Sequence, residues 1–227
     1  TGTALTGEIR VNQTISDDQE QASVGIDSSG RFTVVWTSRN QGADGDNGGI
    51  FMRRFNSDGT AIDATDVLVN SGNTAGDQTS PSIAVNSSGA GVISWQSIGT
   101  VDGVFARTFT TTGSISGSAL STSLISVDTG SNVDNPSVAI NNSGLFVIAW
   151  EQGNKPHVQR FNADGSTRGS AININPLNLL NAPETDPVVA MQSNGDFVAV
   201  YTSAISGFEG VWIRRYNDDG SAKGLAT

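Results

Sequence analysis

The chain repeats one unit four times, and this constrains its fold more than any other property of the sequence. Four segments align without a gap: DSSGRFTVVW (Asp27 to Trp36), NSSGAGVISW (Asn86 to Trp95), NNSGLFVIAW (Asn141 to Trp150) and QSNGDFVAVY (Gln192 to Tyr201). In each, a Gly stands six residues before an aromatic: Gly30/Trp36, Gly89/Trp95, Gly144/Trp150 and Gly195/Tyr201. Upstream of each lies a short apolar segment, ASVGI, PSIAV, PSVAI or PVVAM. Downstream lies FMRRFNSDG, FARTFTTTG, HVQRFNADG or WIRRYNDDG, and a short Val-Asn-type segment (EIRVN, DVLVN, LISVD, AININ) also occurs four times.

These patterns predict strands. The x-S/N-S/N-G and x-x-D-G tetrads suit tight turns that end at positive φ, where Gly carries no steric penalty. Runs such as FTVVW and LFVIAW are apolar on both sides, which suits strands covered on both faces. Each unit then reads as four antiparallel strands, A (PSVAI), B (FVIAW), C (VQRF) and D (the Val-Asn strand). Four short meandering strands per repeat predict an all-β protein, a β-propeller of four four-stranded blades in a single domain, 1–227. A stack of sandwiches is the alternative. The units run over about 13–70, 71–128, 129–175 and 176–227. Because EIRVN precedes the first A strand and no D strand follows Tyr216, the N-terminal strand 7–12 is expected to close the last blade. The opening TGTALTG resembles the closing DGSAKG, as a segment cut from a longer array would.

Composition narrows the function. There are 27 Gly, no Cys and one His, His157. Disulfides and thiol catalysis are excluded, and a zinc site is disfavoured. The net charge is −10, from 22 acids, mostly Asp, against 12 bases, mostly Arg. That balance argues against nucleic-acid binding. Scarce Glu and Lys argue against helices. No apolar run is long enough to span a membrane, and no signal peptide is visible.

Alignment of the repeats shows which loops vary. The A–B turns keep four residues, whereas the D–A and B–C loops differ in every repeat and share one face of a propeller. Variable loops on a rigid scaffold mark a binding face; unselected drift gives the same pattern. That face collects acids. Glu20, Asp77, Asp134 and Asp186 lie just before or at the start of strand A, the innermost strand, and would ring the channel mouth. Further acids are Asp17, Asp18, Asp44, Asp46, Asp102, Glu151, Glu184 and Glu209. Such oxygens suit Ca²⁺, with Asp44, Asp46 and Asn47 of DGDNGG as the sharpest local candidate; a solvated acidic rim is the other reading.

The aromatics Trp36, Trp95, Trp150 and Tyr201 share one register, which favours packing. Trp212 opens strand C beside the variable loops and is a candidate for sugar stacking. The strand-C arginines (Arg53, Arg54, Arg107, Arg160, Arg214, Arg215) suit bonds to turn carbonyls or turn Asp better than a carboxylate clamp. His157 has no evident catalytic partner. Paired carboxylates for glycosidic chemistry are available on the acidic face, but no motif selects a pair.

The pattern P-S-V-A-x-N-x-x-G-x-F-V-x-x-W (from Pro136 to Trp150), followed by R-F-N-x-D-G (Arg160 to Gly165), resembles tandem repeats of very large secreted or surface-anchored bacterial proteins. Those often accompany hemolysin-type calcium-binding and adhesin modules. The resemblance implies an extracellular, non-catalytic binding or structural module for adhesion or surface assembly. It also implies contact with Ca²⁺ and with polysaccharide or cell-surface protein, and leaves room for self-association. The second expectation is a secreted carbohydrate-active enzyme or lectin of propeller fold. It would act through the variable face, with Glu20, Asp77, Asp102, Asp134, Asp186, Glu209 and Trp212 as the ligand-binding residues.

Overall fold

The computed structural model describes residues 7–39, 48–99, 101–112, 124–175, 183–204 and 209–224. Among them are strands and turns but no helix, and hence no helix long and apolar enough to cross a membrane. The strands form four antiparallel sheets. The first holds β1 (Gln19–Ile26), β2 (Phe32–Arg39), β3 (Gly48–Phe55) and β4 (Val67–Leu68). The second holds β5 (Asp77–Val85), β6 (Ala90–Ile98), β7 (Gly103–Thr110) and β8 (Ile125–Thr129). The third holds β9 (Val133–Ile140), β10 (Phe146–Gln152), β11 (Pro156–Phe161) and β12 (Ile172–Asn173). The fourth has three strands, β13 (Glu184–Met191), β14 (Phe197–Ser203) and β15 (Gly210–Tyr216). Each sheet is a meander in sequence order.

The Gly-terminated tetrads make the β1–β2, β5–β6, β9–β10 and β13–β14 turns. Gly30, Gly89, Gly144 and Gly195 have φ of 79°, 88°, 81° and 90°. Each Gly amide bonds the carbonyl three residues earlier, at 3.0 Å in all four turns.

Register explains why the strands are apolar on both sides. In the second sheet, Ile93 and Trp95 oppose Arg107 and Phe105 on the side facing the first sheet, while Val92, Val104 and Ala106 face the third. Every seam is filled this way. Val35, Ile50 and Met52 of the first sheet pack on Ile83, Ile93, Trp95 and Phe105. Val147, Ala149 and Val158 of the third pack on Val189, Phe197 and Tyr201 of the fourth. The repeated aromatics are packing residues: Trp36, Trp95, Trp150 and Tyr201 are 3%, 0%, 1% and 7% exposed. Each buried side chain of this size contributes roughly 2–3 kcal/mol. Strand-C arginines tie the seams to main chain, as Arg54 Nη1 donates to Thr110 O (2.9 Å) and Arg160 Nη1 to Asp218 O (2.6 Å).

The expected ring closure is not made. Glu8–Asn12 forms no strand with β15, which is the edge of a three-stranded sheet. It lies on the first sheet instead. Arg53 Nη1 donates to Val11 O (2.8 Å), and Asp66 accepts the amides of Gln13 and Thr14 at 3.0–3.1 Å. Those bonds hold the segment on the first sheet. The outer sides of the first and fourth sheets stay open, with Val24 62% and Ile213 64% exposed. The four sheets therefore form an unclosed arc.

Candidate functional site

The innermost strands β1, β5, β9 and β13 share one irregularity. Each has a register break against its partner, between Glu20 and Ser23, Thr79 and Ser82, Asp134 and Ser137 (opposite Glu151 and Ala149), and Thr185 and Val188. The bulge puts one non-Gly residue per sheet at positive φ: Gln21 (54°), Ser80 (53°), Asn135 (47°) and Asp186 (53°). A Pro follows in three of the four, Pro81, Pro136 and Pro187. Such conformations cost roughly 1 kcal/mol or more and tend to mark sites where a side chain is being aimed.

Here the bulges bring residues of adjacent sheets together. Gln21 Oε1 accepts the Ser80 amide at 2.8 Å. Asn135 Nδ2 stands 3.4 Å from Asp186 Oδ1 and 3.5 Å from Glu151 Oε2. The bulges thus define the inner edge of the arc on the variable-loop side.

The acids expected to ring this edge fall into two groups. Glu20 and Asp77 are neutralised by one cation: Arg39 bonds Glu20 at 2.9 Å and also bonds Asp77. The hydrogen bond that Arg39 donates to Asp77, with Glu20 beside it, raises the Arg39 pKa despite burial. Asp102 serves its own turn, accepting the Gly99 amide at 2.7 Å.

At the seam of the third and fourth sheets no cation intervenes among the described groups that set these charges. Asp134 and Glu151 are direct cross-strand partners on β9 and β10, and Asp186 reaches them from β13. Glu151 is 6% exposed. Burial first, and then the Asp134 charge, push its carboxyl pKa up, although Asn135 and the Asp186 amide hold it back. Asp134 is raised by burial and by the charge of Asp186, and its Oδ1 is buried without a partner among the described residues. A pocket of about 220 Å³ opens beside it, lined by Gln96, Ser97, Asp102, Asn132, Val133 and Asp134.

A second buried carboxylate lies one strand pair away. Glu184 is fully buried, accepts from Asn175 Nδ2 at 2.6 Å, and has an unpartnered Oε2. Burial, then Glu184, push the Tyr201 hydroxyl up to about 12. Trp212 pairs across from Tyr201 and is 44% exposed. Glu209 is exposed just before β15. Asp44, Asp46 and Asn47 lie outside the described residues, and among those described no group of three or more acids or His is arranged to hold a metal ion. His157 is a packing residue. It stacks on Trp150 at 5.8 Å, its Nδ1 is 3.0 Å from Lys155 O, and burial lowers its pKa.

Sequence reasoning named Asp134, Asp186 and Glu151 among the acids of the variable face, but it did not set Glu151 apart from the others and did not name Asn135, which joins them. A signal existed for Glu151. The residue after the strand-B aromatic is Thr37, Gln96, Glu151 or Thr202, so one repeat alone places a charge there.

No known protein family matches the chain, and no curated protein matches it. Solved structures do. An α-L-arabinofuranosidase from Podospora anserina, solved with cellotriose, superposes with a TM-score of 0.51 at 12% identity, over 95% of this chain and 71% of the other. A Hadza microbial sialidase superposes with a TM-score of 0.52 at 11% identity, over 90% of this chain and 44% of the other. Both show that the sheet arrangement is propeller-type. By their names both are glycan-processing enzymes, which stands against the expectations of a non-catalytic adhesion module and of no enzyme and on the side of the second expectation.

Proposed function

We propose that the chain is a carbohydrate-active domain that engages a polysaccharide on the variable-loop face and works on it with the carboxyls at the third–fourth seam. One observation carries this reading: Glu151 and Asp134, both pushed toward the protonated form, stand beside the exposed Asp186. Glycosidic cleavage needs an acid that keeps its proton and a second carboxylate that stabilises positive charge or activates water. Glu151 is assigned the acid, because it is the most buried of the three and is flanked by the other two. Asp186 is assigned the carboxylate, because its bulge aims it at Glu151 through Asn135. Burial raises the Glu151 carboxyl, and the charge of Asp134 adds to that shift. Trp212 offers an exposed ring for a sugar face.

A neutral glycan fits this mouth better than an acidic one. The chain is strongly acidic, and Arg39 is already bonded to Glu20 and Asp77. The test is a panel of neutral and acidic polysaccharides, assayed for binding and for release of reducing ends, with wild type, Glu151→Gln and Asp186→Asn. Cleavage lost in both variants with binding kept supports the assignment. Wild-type activity that survives both substitutions moves the chemistry elsewhere.

A further inference from the structure

The two open ends of the arc are complementary to each other, and we propose that a second copy of this chain docks head to tail across them. This goes beyond the carbohydrate reading and does not depend on it.

The repeat itself supplies the measure of what each end lacks. Three residues before the aromatic that ends strand C stand Met52, Ala106, Val158 and Ile213. The first three are 0% exposed and Ile213 is 64% exposed. Two residues earlier, Ile50 and Val104 are 0% exposed and Val211 is 74% exposed. At the other end, Val24 occupies the position of Ile83, Val138 and Val189 on strand A. Those are 9%, 7% and 7% exposed, and Val24 is 62% exposed. In three seams the same positions are covered by the neighbouring sheet; here no described residue covers them. A concavity of about 450 Å³ beside Ile213, Val198 and Arg215 is part of this open side.

The occupant is argued from polar bonds that recur at the internal seams. Front-side arginines reach back to the main chain that follows the preceding fourth strand. Arg107 Nη2 donates to Ser71 O (2.6 Å) and Arg214 Nη1 to Ile174 O (2.8 Å). Arg53 does the same to Val11 O (2.8 Å). The segment Glu8–Asn12 therefore stands where the fourth strand of a preceding sheet would be, and among the described residues the fourth sheet is the one with three strands. Docking the β15 side of one copy on the β1 side of another completes both at once. The A–B turns repeat the pattern: Asn86 Nδ2 donates to Asn141 O and Asn141 Nδ2 to Ser193 O. Gln192 holds the same place in the last turn and would reach the Asp27–Ser28 main chain of the second copy. Arg215, exposed, would meet the Asn56–Gly59 turn as Arg54 and Arg160 meet theirs.

Light scattering after size exclusion, over a wide concentration range, tests the proposal together with two variants whose altered residues are exposed. Val24→Asp with Ile26→Asp blocks one end; Val211→Asp with Ile213→Asp blocks the other. Wild type should associate with increasing concentration, each variant alone should stay monomeric, and the two mixed should form a one-to-one dimer. In that dimer the Glu8–Asn12 amides of the copy with an intact β1 side should gain protection from exchange. Circular dichroism confirms that both variants are folded. A wild type that is monomeric at every concentration overturns the proposal, and so does association that persists in either single-end variant.

Discussion

The turn face and the loop face of this arc use the same side chains in opposite ways. On the turn face every acid with a resolved shift is held below its ordinary 3.8. Burial works against the charged form of Asp27, but bonds from Arg31, Thr111 and the Ser29 and Arg31 amides outweigh it. Asp218 is lowered by Arg168, Asp196 by Lys223, and Asp58, Asp164 and Asp219 by hydroxyl and amide donors two residues on. On the loop face Asp134 and Glu151 are shifted upward. One face spends carboxylates on holding turns and seams together. The other pairs Glu20 and Asp77 with Arg39 but leaves Asp134 and Glu151 without a cation, which stores reactivity at some expense in stability.

The largest effect should come from the buried pair of Arg54 and Asp63. Both side chains are fully buried, and Nη2 to Oδ1 is 2.6 Å. Asp63→Ala strands the guanidinium and is expected to lower unfolding free energy by about 3–5 kcal/mol in urea denaturation. Next, Asp27→Ala removes a turn cap and the link to Thr111 (2.8 Å), at a cost of about 2 kcal/mol. A loss under half that size would place the strength of the seam in its apolar contacts alone.

The loop face should respond in the other direction. Glu151→Gln removes a carboxyl whose ionised form is opposed by burial and by Asp134, and is expected to stabilise the fold at pH 7 by about 1 kcal/mol. The pH dependence follows from the signs. Raised carboxyls bind protons more tightly in the folded state, so wild-type stability should climb as pH falls through the raised pKa values of Glu151 and Asp134. Below the ordinary 3.8 the turn-face acids begin to protonate, and the stability they contribute is lost as pH passes their lowered values. Thermal melts from pH 8 to 2.5 should show a maximum between, and Glu151→Gln should flatten the limb above it. The smallest effect belongs to the exposed turn acids. Asp164→Asn keeps an acceptor for the Ser166 amide (2.9 Å) and should leave the melting temperature nearly unchanged.

Much of the scaffold was readable because repetition let four weak signals confirm one another. The Gly turns, the two-sided apolar strands and the packing role of Trp95 and Trp150 all follow from period and register. Closure was not readable. EIRVN matches DVLVN as a strand, but its placement depends on which partner holds it, and Arg53 and Asp66 hold it at the first sheet. The site was half readable. A ring of acids could be counted, yet sequence does not say that Arg39 silences two of them. Nor did it show that a bulge at Asn135 and Asp186 turns two loops toward each other, since positive φ at a residue before Pro is decided by the sheets around it.

The open arc also has a consequence for how the molecule comes apart. A sheet inside the row is gripped on both sides, whereas the first and fourth are gripped on one, and the fourth is also short of an outer strand. Such a row behaves as a linear array with nearest-neighbour coupling. Melting can then begin at β13–β15 and advance inward, without the all-or-none character that a closed circle enforces. The third–fourth seam, where Glu151 meets Asp186, is the first internal boundary such a wave would reach. Whatever clamps the free end, a bound glycan across that boundary or a neighbour on β15, would convert a fraying array into a cooperative one.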